Sequence, residues 1–294
     1  MRARREVILC AGTIASPQLL LLSGVGPARA LQSLGIPVIA DGANVGRNLQ
    51  EHVRASVVVR ARVPTFNQEG RGRALVRHVL RYGLQRRGLL TATASQVNAF
   101  VRSAPDCTRP DITVVFRPAS GDYVGARFVA HRFPGAMAMI GVMRPRSRGS
   151  LTLASSEPAR PPVIRSGHLL DAEDGELLLR GVRFARRVFA TSPLRDLVDA
   201  EVQPGPAIVD DDALRAYARA TADSLLHAVG TCAMGRDASA VVTPTLEVRG
   251  VSGLRVVDAS IMPTVPSGNT CAAVMMVAER AADFILGVDK SRDR

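Results

Sequence analysis

The chain has 294 residues, 47% of them hydrophobic and 4% aromatic, with no tryptophan and a formal net charge of +12. This composition excludes a disordered polymer, and the length suffices for one large domain or two ordinary ones. The charge comes from arginine, Lys290 being the single lysine, in short groups without interleaved aromatics, so no nucleic-acid partner is expected.

VILCAG at 7–12 reads as a short buried strand ending in glycine. Ser16 then stands as a helix N-cap with Pro17 at the first helical position, and Gly24 stops the leucine run. Residues 31–42 read as a helix end and a brief strand, and the Gly- and Asn-rich stretch 43–52 as a loop. VRASVVVRARV at 53–63 has strand character, with β-branched residues and alternating arginine. A polar, arginine-rich stretch follows at 64–93, with a weak helix over 73–86. Strands are expected at 96–103, 111–119, 137–145 and 149–155, in an antiparallel or mixed sheet. Asp171 opens a long helix reaching about Thr191, containing Gly175 and Gly181, and a second helix occupies 210–223. The last helix runs from Thr270 to Leu286 with Gly287 closing it. Its face of Ala273, Met276, Val277, Arg280, Ala281 and Phe284 is mainly apolar, and 288–294 form a loose tail.

Cys10, Cys107, Cys232 and Cys271 have neither CxxC spacing nor a disulfide pattern, and no metal site is read from the chain. The leucines at 19–22 are far too few for a membrane span, and no secretory signal is visible. A cytoplasmic protein is expected, with peripheral membrane contact left open.

Two segments can carry chemistry. SLLHAVGTCAMG at 224–235 holds His227 among glycines and small residues that let backbone approach a ligand. Its imidazole is either a satisfied core group or a base for work near neutral pH. GLRVVDASIMPTVPSGNTCAAV, from 253, sets Asp258, Ala259 and Ser260 at the carboxyl end of a strand, where open α/β sheets present ligand groups. Asn269 follows at the start of a helix, either as an N-cap or as an amide holding an oxygen that gains charge.

VILCAGTIASPQLLLLSGVGP at 7–27, NVGRNLQEHV at 44–53, LLHAVGTCAMG and LRVVDASIMPTVPSGNTCAAVMMVAERAADFI resemble, in order and spacing, the C-terminal half of the glucose–methanol–choline (GMC) oxidoreductases. The resemblance covers essentially the whole chain and is nearest to the choline dehydrogenase-like branch, since Asn269 stands where glucose-oxidase-like members carry a second histidine. It implies an α/β (α+β) fold: a partial, Rossmann-like FAD-binding domain at 1–50 and 225–294 around a substrate-binding domain at 51–224 with an antiparallel or mixed sheet. It also implies an FAD-dependent alcohol oxidoreductase with His227 as the active-site histidine and Asn269 as its partner. Asp258 and Ala259 would lie along the FAD diphosphate and ribityl chain. Asn269, Thr270 and Cys271 would sit beside the flavin, and Gly12, Ser16 and Pro17 on the nucleotide side.

Cys271 departs from choline-oxidising relatives, which often carry asparagine there, and aromatic residues for a quaternary-ammonium cage are few. This puts choline in doubt more than alcohol oxidation, so a small or medium primary alcohol is the expected substrate, and the electron acceptor is left open. No Gly-x-Gly-x-x-Gly fingerprint occurs in the 294 residues. The chain therefore reads as one half of such an enzyme: a truncated, non-catalytic fragment, or a partner of a separate N-terminal half or of a second copy.

Overall fold

The computed structural model describes residues 3–124 and 127–288; the expected tail lies outside them from 289 onward. In chain order the elements are β1 (Val7–Leu9), α1 (Gly12–Leu22), β2 (Val25–Gly26), α2 (Ala28–Ser33), β3 (Ala40–Asp41) and β4 (Val53–Ala61). There follow α3 (Phe66–Glu69), α4 (Gly72–Gln85), β5 (Val97–Val101), β6 (Ile112–Arg117), β7 (Gly121–Val124), β8 (Arg127–Ala130) and β9 (Gly135–Val142). Then come β10 (Ser150–Thr152), β11 (Val163–Arg165), α5 (Ala172–Phe189), α6 (Leu194–Leu197), β12 (Val198–Gln203), α7 (Asp211–Thr221), β13 (Asp223–Ser224), β14 (Leu254–Val256) and α8 (Thr270–Leu286). The fold is mixed α/β. The chain divides into two compact units, one of residues 1–52, 144–171 and 224–294, the other of 53–143 and 172–223.

In the first unit β1 pairs directly and in parallel with β14, Val7 opposite Leu254 and Leu9 opposite Val256. The core beneath them holds Leu20, Leu21, Leu31, Val242, Val256 and Ile261, with Val277 and Ala281 from α8. Each of the buried leucines, valines and isoleucine contributes about 1.5–3 kcal/mol. Helix α1 starts four residues before the expected N-cap, so Ser16 and Pro17 lie inside it. A proline there removes the N–H that would bond the Thr13 carbonyl. The Thr231 hydroxyl donates to that carbonyl at 2.6 Å instead, which leaves nothing unsatisfied. On α8 the buried face is Val277 and Ala281, whereas Met276 is 61% exposed, so the expected apolar face is rotated at that position. The helix ends as the sequence suggests, at Gly287 with φ 70°.

In the second unit an antiparallel sheet runs in the order β12-β4-β9-β6-β5. β9 is buried along its whole length, as its unbroken run of small and apolar residues requires. Helix α5 packs Leu178, Val182 and Ala185 into the interior. Gly181 is the point of closest approach, where a Cβ would collide with the Ile140 side chain. Asp210 caps α7 through Ala213 N–H at 2.8 Å. The expected strand near 149–155 does not join this sheet; β10 pairs with β11 in the first unit. The β7–β8 hairpin and β12 carry too little alternation to be read from sequence.

Candidate active site

Two extended segments of the first unit build the site. Gln50 N–H donates to Val229 O at 3.0 Å and Val229 N–H to Gln50 O at 2.9 Å, an antiparallel register that sets His52 opposite His227. The register then slips: His52 O accepts from Leu225 N–H at 3.0 Å. His227 N–H turns instead to Glu51 Oε1 at 2.6 Å. Leu226, with φ 65°, is pushed out and 86% exposed. Bulges of this kind re-aim side chains next to functional sites.

His52 is buried, and its Nε2 lies 3.0 Å from the Pro266 carbonyl, which can only accept. In the neutral ring the proton therefore sits on Nε2, which leaves Nδ1 as an acceptor. His52 Nδ1 lies 2.9 Å from His227 Nδ1, so His227 must donate from Nδ1. That tautomer leaves His227 Nε2 with an open lone pair, and no hydrogen bond to it is found among the described residues. Half-burial of the imidazole pushes its pKa below the ordinary value, which keeps it neutral and able to take a proton. The two rings meet edge to face, centroids 5.1 Å apart.

The same segment holds the loop leading into α8. Gln50 Nε2 donates to Pro263 O at 2.9 Å while its Oε1 accepts from Val265 N–H at 3.2 Å. Asn48, whose φ of 60° suits asparagine, donates from Nδ2 to Pro263 O at 3.1 Å. His52 closes the set at Pro266, three residues before Asn269. Asn48, Gln50, Glu51 and His52 thus support the site, although their sequence alone reads only as a loop. The polar N-x-Q-x-H pattern at 48–52 is the available signal.

Asp258 is a hub rather than an open ligand group. Its carboxylate accepts from Gly12 N–H at 3.0 Å, from the Ser16 hydroxyl at 2.5 Å and from Ser260 N–H at 2.8 Å. Ser16 is fully buried and Pro17 is buried with it, so neither presents a side chain at the surface. Gly12 is different: its φ is 83° and a Cβ there would meet open space. Ala259 is half-buried in the 3-10 turn Ala259–Ile261 that follows β14, while Asn269 and Cys271 are exposed.

Asn269 occupies the N-cap position of α8 without a side-chain capping bond, and the first turn holds no acidic residue. Its amide and the first N–H groups of a 17-residue helix are open to an electron-rich or anionic group. Burial pushes the Cys232 thiol up to about 12, which makes it inert. Among the described residues no His, Cys, Asp and Glu group is arranged to hold a metal ion.

Models of GMC oxidoreductase match residues 1–54 and 145–278. An alcohol dehydrogenase [acceptor] of Pseudomonas putida is 38% identical over 96% of this chain and 51% of its own length. An oxygen-dependent choline dehydrogenase of Rhizobium johnstonii is 38% identical over 98% of this chain and 52% of its own. The chain thus spans about half the length of these curated relatives. Among solved structures, a variant of Aspergillus oryzae formate oxidase studied for FAD modification superposes with a TM-score of 0.87 at 25% identity, over 99% of this chain and 55% of that one. An FAD-dependent oxidoreductase from Chaetomium thermophilum gives 0.86 at 25% identity, over 98% and 56%.

Proposed function

The chain belongs to the GMC oxidoreductase family, and from that premise we propose that it serves an FAD-dependent oxidation of a small alcohol. The observation that carries this reading is the His52–His227 pair, which leaves a neutral His227 with a bare Nε2. The residues present fit a flavin on two grounds: the uncapped N-terminus of α8, and the open space before Gly12 at the start of α1. FAD, when bound, would supply the hydride acceptor. Asn269, Thr270 and Cys271 would flank it, and Gly12 with the backbone of Asp258 and Ala259 would face its nucleotide side. Ser16 and Pro17 would act beneath them, as footing for α1.

His227 Nε2 takes the hydroxyl proton of the alcohol, and the imidazolium so formed is held by its Nδ1–H bond to His52. The Asn269 amide donates to the oxygen as it gains negative charge. Neither choline nor oxygen is specifically favoured: Cys271 stands beside the proposed flavin, and no residue here selects an acceptor. A second reading, in which the chain holds no flavin by itself, is favoured by the lack of a Gly-x-Gly-x-x-Gly loop in the 294 residues.

A flavin titration followed by its absorbance separates the two readings. Bound FAD with alcohol-dependent bleaching supports the first, and bleaching should slow by about 10²- to 10⁴-fold in His227→Ala while FAD stays bound. Unchanged bleaching in that variant would remove His227 from the role of base.

A further inference from the structure

We infer that α4 is a membrane-surface element, lying in the headgroup region of an anionic lipid bilayer. This is independent of the flavin reading. Helix α4, GRALVRHVLRYGLQ, has no buried residue. A helix of this length is marginal in water unless one face packs on something. At about 100° per residue, Leu75, Val76, Val79 and Leu80 fall on a single arc, with Leu84 at its margin. All five point outward: Val76 and Leu80 are each 59% exposed, Val79 50% and Leu84 83%. Leu90, in the turn that follows, continues the apolar surface at 45% exposure.

The opposite side is what fixes the helix. Glu69 at the end of α3 accepts from Arg77 at 2.6 Å and from His78 Nε2 at 2.7 Å, so the apolar arc is turned outward. Arg86 adopts the left-handed conformation that ends the helix and covers the Tyr82 ring.

Charge identifies the occupant. No acidic residue lies between Glu69 and Asp106; at about 100° per residue Arg71 and Arg73 flank the apolar arc, and Arg86 and Arg87 follow its C-terminal end. An apolar stripe flanked by long cationic side chains matches an interfacial helix, whose arginines reach phosphate while leucine and valine enter the acyl boundary. A second copy of this chain fits poorly, because the same arginines and a net charge of +12 would oppose themselves. Fourteen residues rise only about 21 Å, too short to cross a bilayer, so the helix lies along the surface.

Co-sedimentation of the 294-residue chain with phosphatidylglycerol–phosphatidylcholine vesicles tests this, with pure phosphatidylcholine vesicles alongside. Binding is expected on the anionic vesicles, falling as salt is raised. Arg73→Gln with Arg87→Gln should weaken it about five-fold per charge removed. Val76→Ser with Leu80→Ser should weaken it at least ten-fold, with the far-UV spectrum checked for folding. The chain has no tryptophan, so the emission of a Val79→Trp variant reports α4 alone and should shift to the blue on anionic vesicles. That conservative variant keeps the test decisive if the serine variants unfold. Binding without a blue shift of its indole emission, or no binding, overturns the proposal. So does a self-association that Leu80→Ser abolishes while vesicle binding is absent.

Discussion

His52 and His227 meet Nδ1 to Nδ1 at 2.9 Å, and the Pro266 carbonyl on the far side of His52 decides which of them holds the shared proton. Long-range nitrogen correlation spectra of histidine-labelled protein should therefore give Nδ1–H for His227 and Nε2–H for His52. His52→Leu removes the acceptor, and His227 should relax to a mixture of tautomers. His52→Asn, which can both donate to Pro266 and accept from His227, should restore the Nδ1–H form. A Nε2–H tautomer of His227 in the parent chain would overturn the assignment without needing bound flavin.

Burial lowers the His227 pKa in the folded chain, so between that value and about 6.5 the unfolded chain binds more protons. Folding stability then rises with pH through this window and falls on acidification below 6.5. His227→Gln should flatten that slope in denaturant titrations at stepped pH. If His227 is the base, the midpoint at which alcohol-dependent flavin bleaching in the parent declines on acidification should lie below 6.5. A midpoint above 6.5 contradicts this.

Cys10 and Cys271 are exposed, whereas Cys232 is buried with its thiol raised to about 12. Mass-resolved alkylation at pH 8 should label the first two and reach Cys232 only after unfolding. If the flavin lies where the α8 terminus opens, saturating FAD should slow labelling of Cys271. Protection of none of the thiols under conditions where FAD is bound would displace the proposed site.

The two glycines of α5 should respond in opposite directions. Gly175→Ala meets open space and should stabilise the chain by about 0.5–1 kcal/mol. Gly181→Ala drives a methyl into Ile140 and should destabilise it by about 1–3 kcal/mol. Midpoints of urea denaturation would measure both.

Elements governed by local rules are legible in the sequence. Thr270–Leu286 has a polar cap position, helix formers throughout and a terminal glycine, and both ends fall as read. Val53–Ala61 announces a strand by its β-branched run. Ser16 and Pro17 mislead, because serine followed by proline is a helix start wherever the proline carbonyl partner would otherwise be orphaned. Here Thr231, 218 residues away, supplies the missing donor to Thr13. His52 escapes notice for the same reason: its meaning lies in a ring 175 residues distant. Family resemblance gives roles to His227 and Asn269; it includes NVGRNLQEHV at 44–53 among its motifs but assigns Asn48, Gln50, Glu51 and His52 no part in the site.

The Asp258 carboxylate joins Gly12 and Ser16, partners separated from it by 246 and 242 positions. During synthesis those early groups leave the ribosome long before their acceptor exists. The N–H of Gly12 and the hydroxyl of Ser16 must wait in water, and β1 must wait for β14. Residues 53–143 and 172–223 are complete by then and can condense first. The first unit is consequently assembled only after residues 53–223 have been made, around the later segments that carry His227 and Asn269.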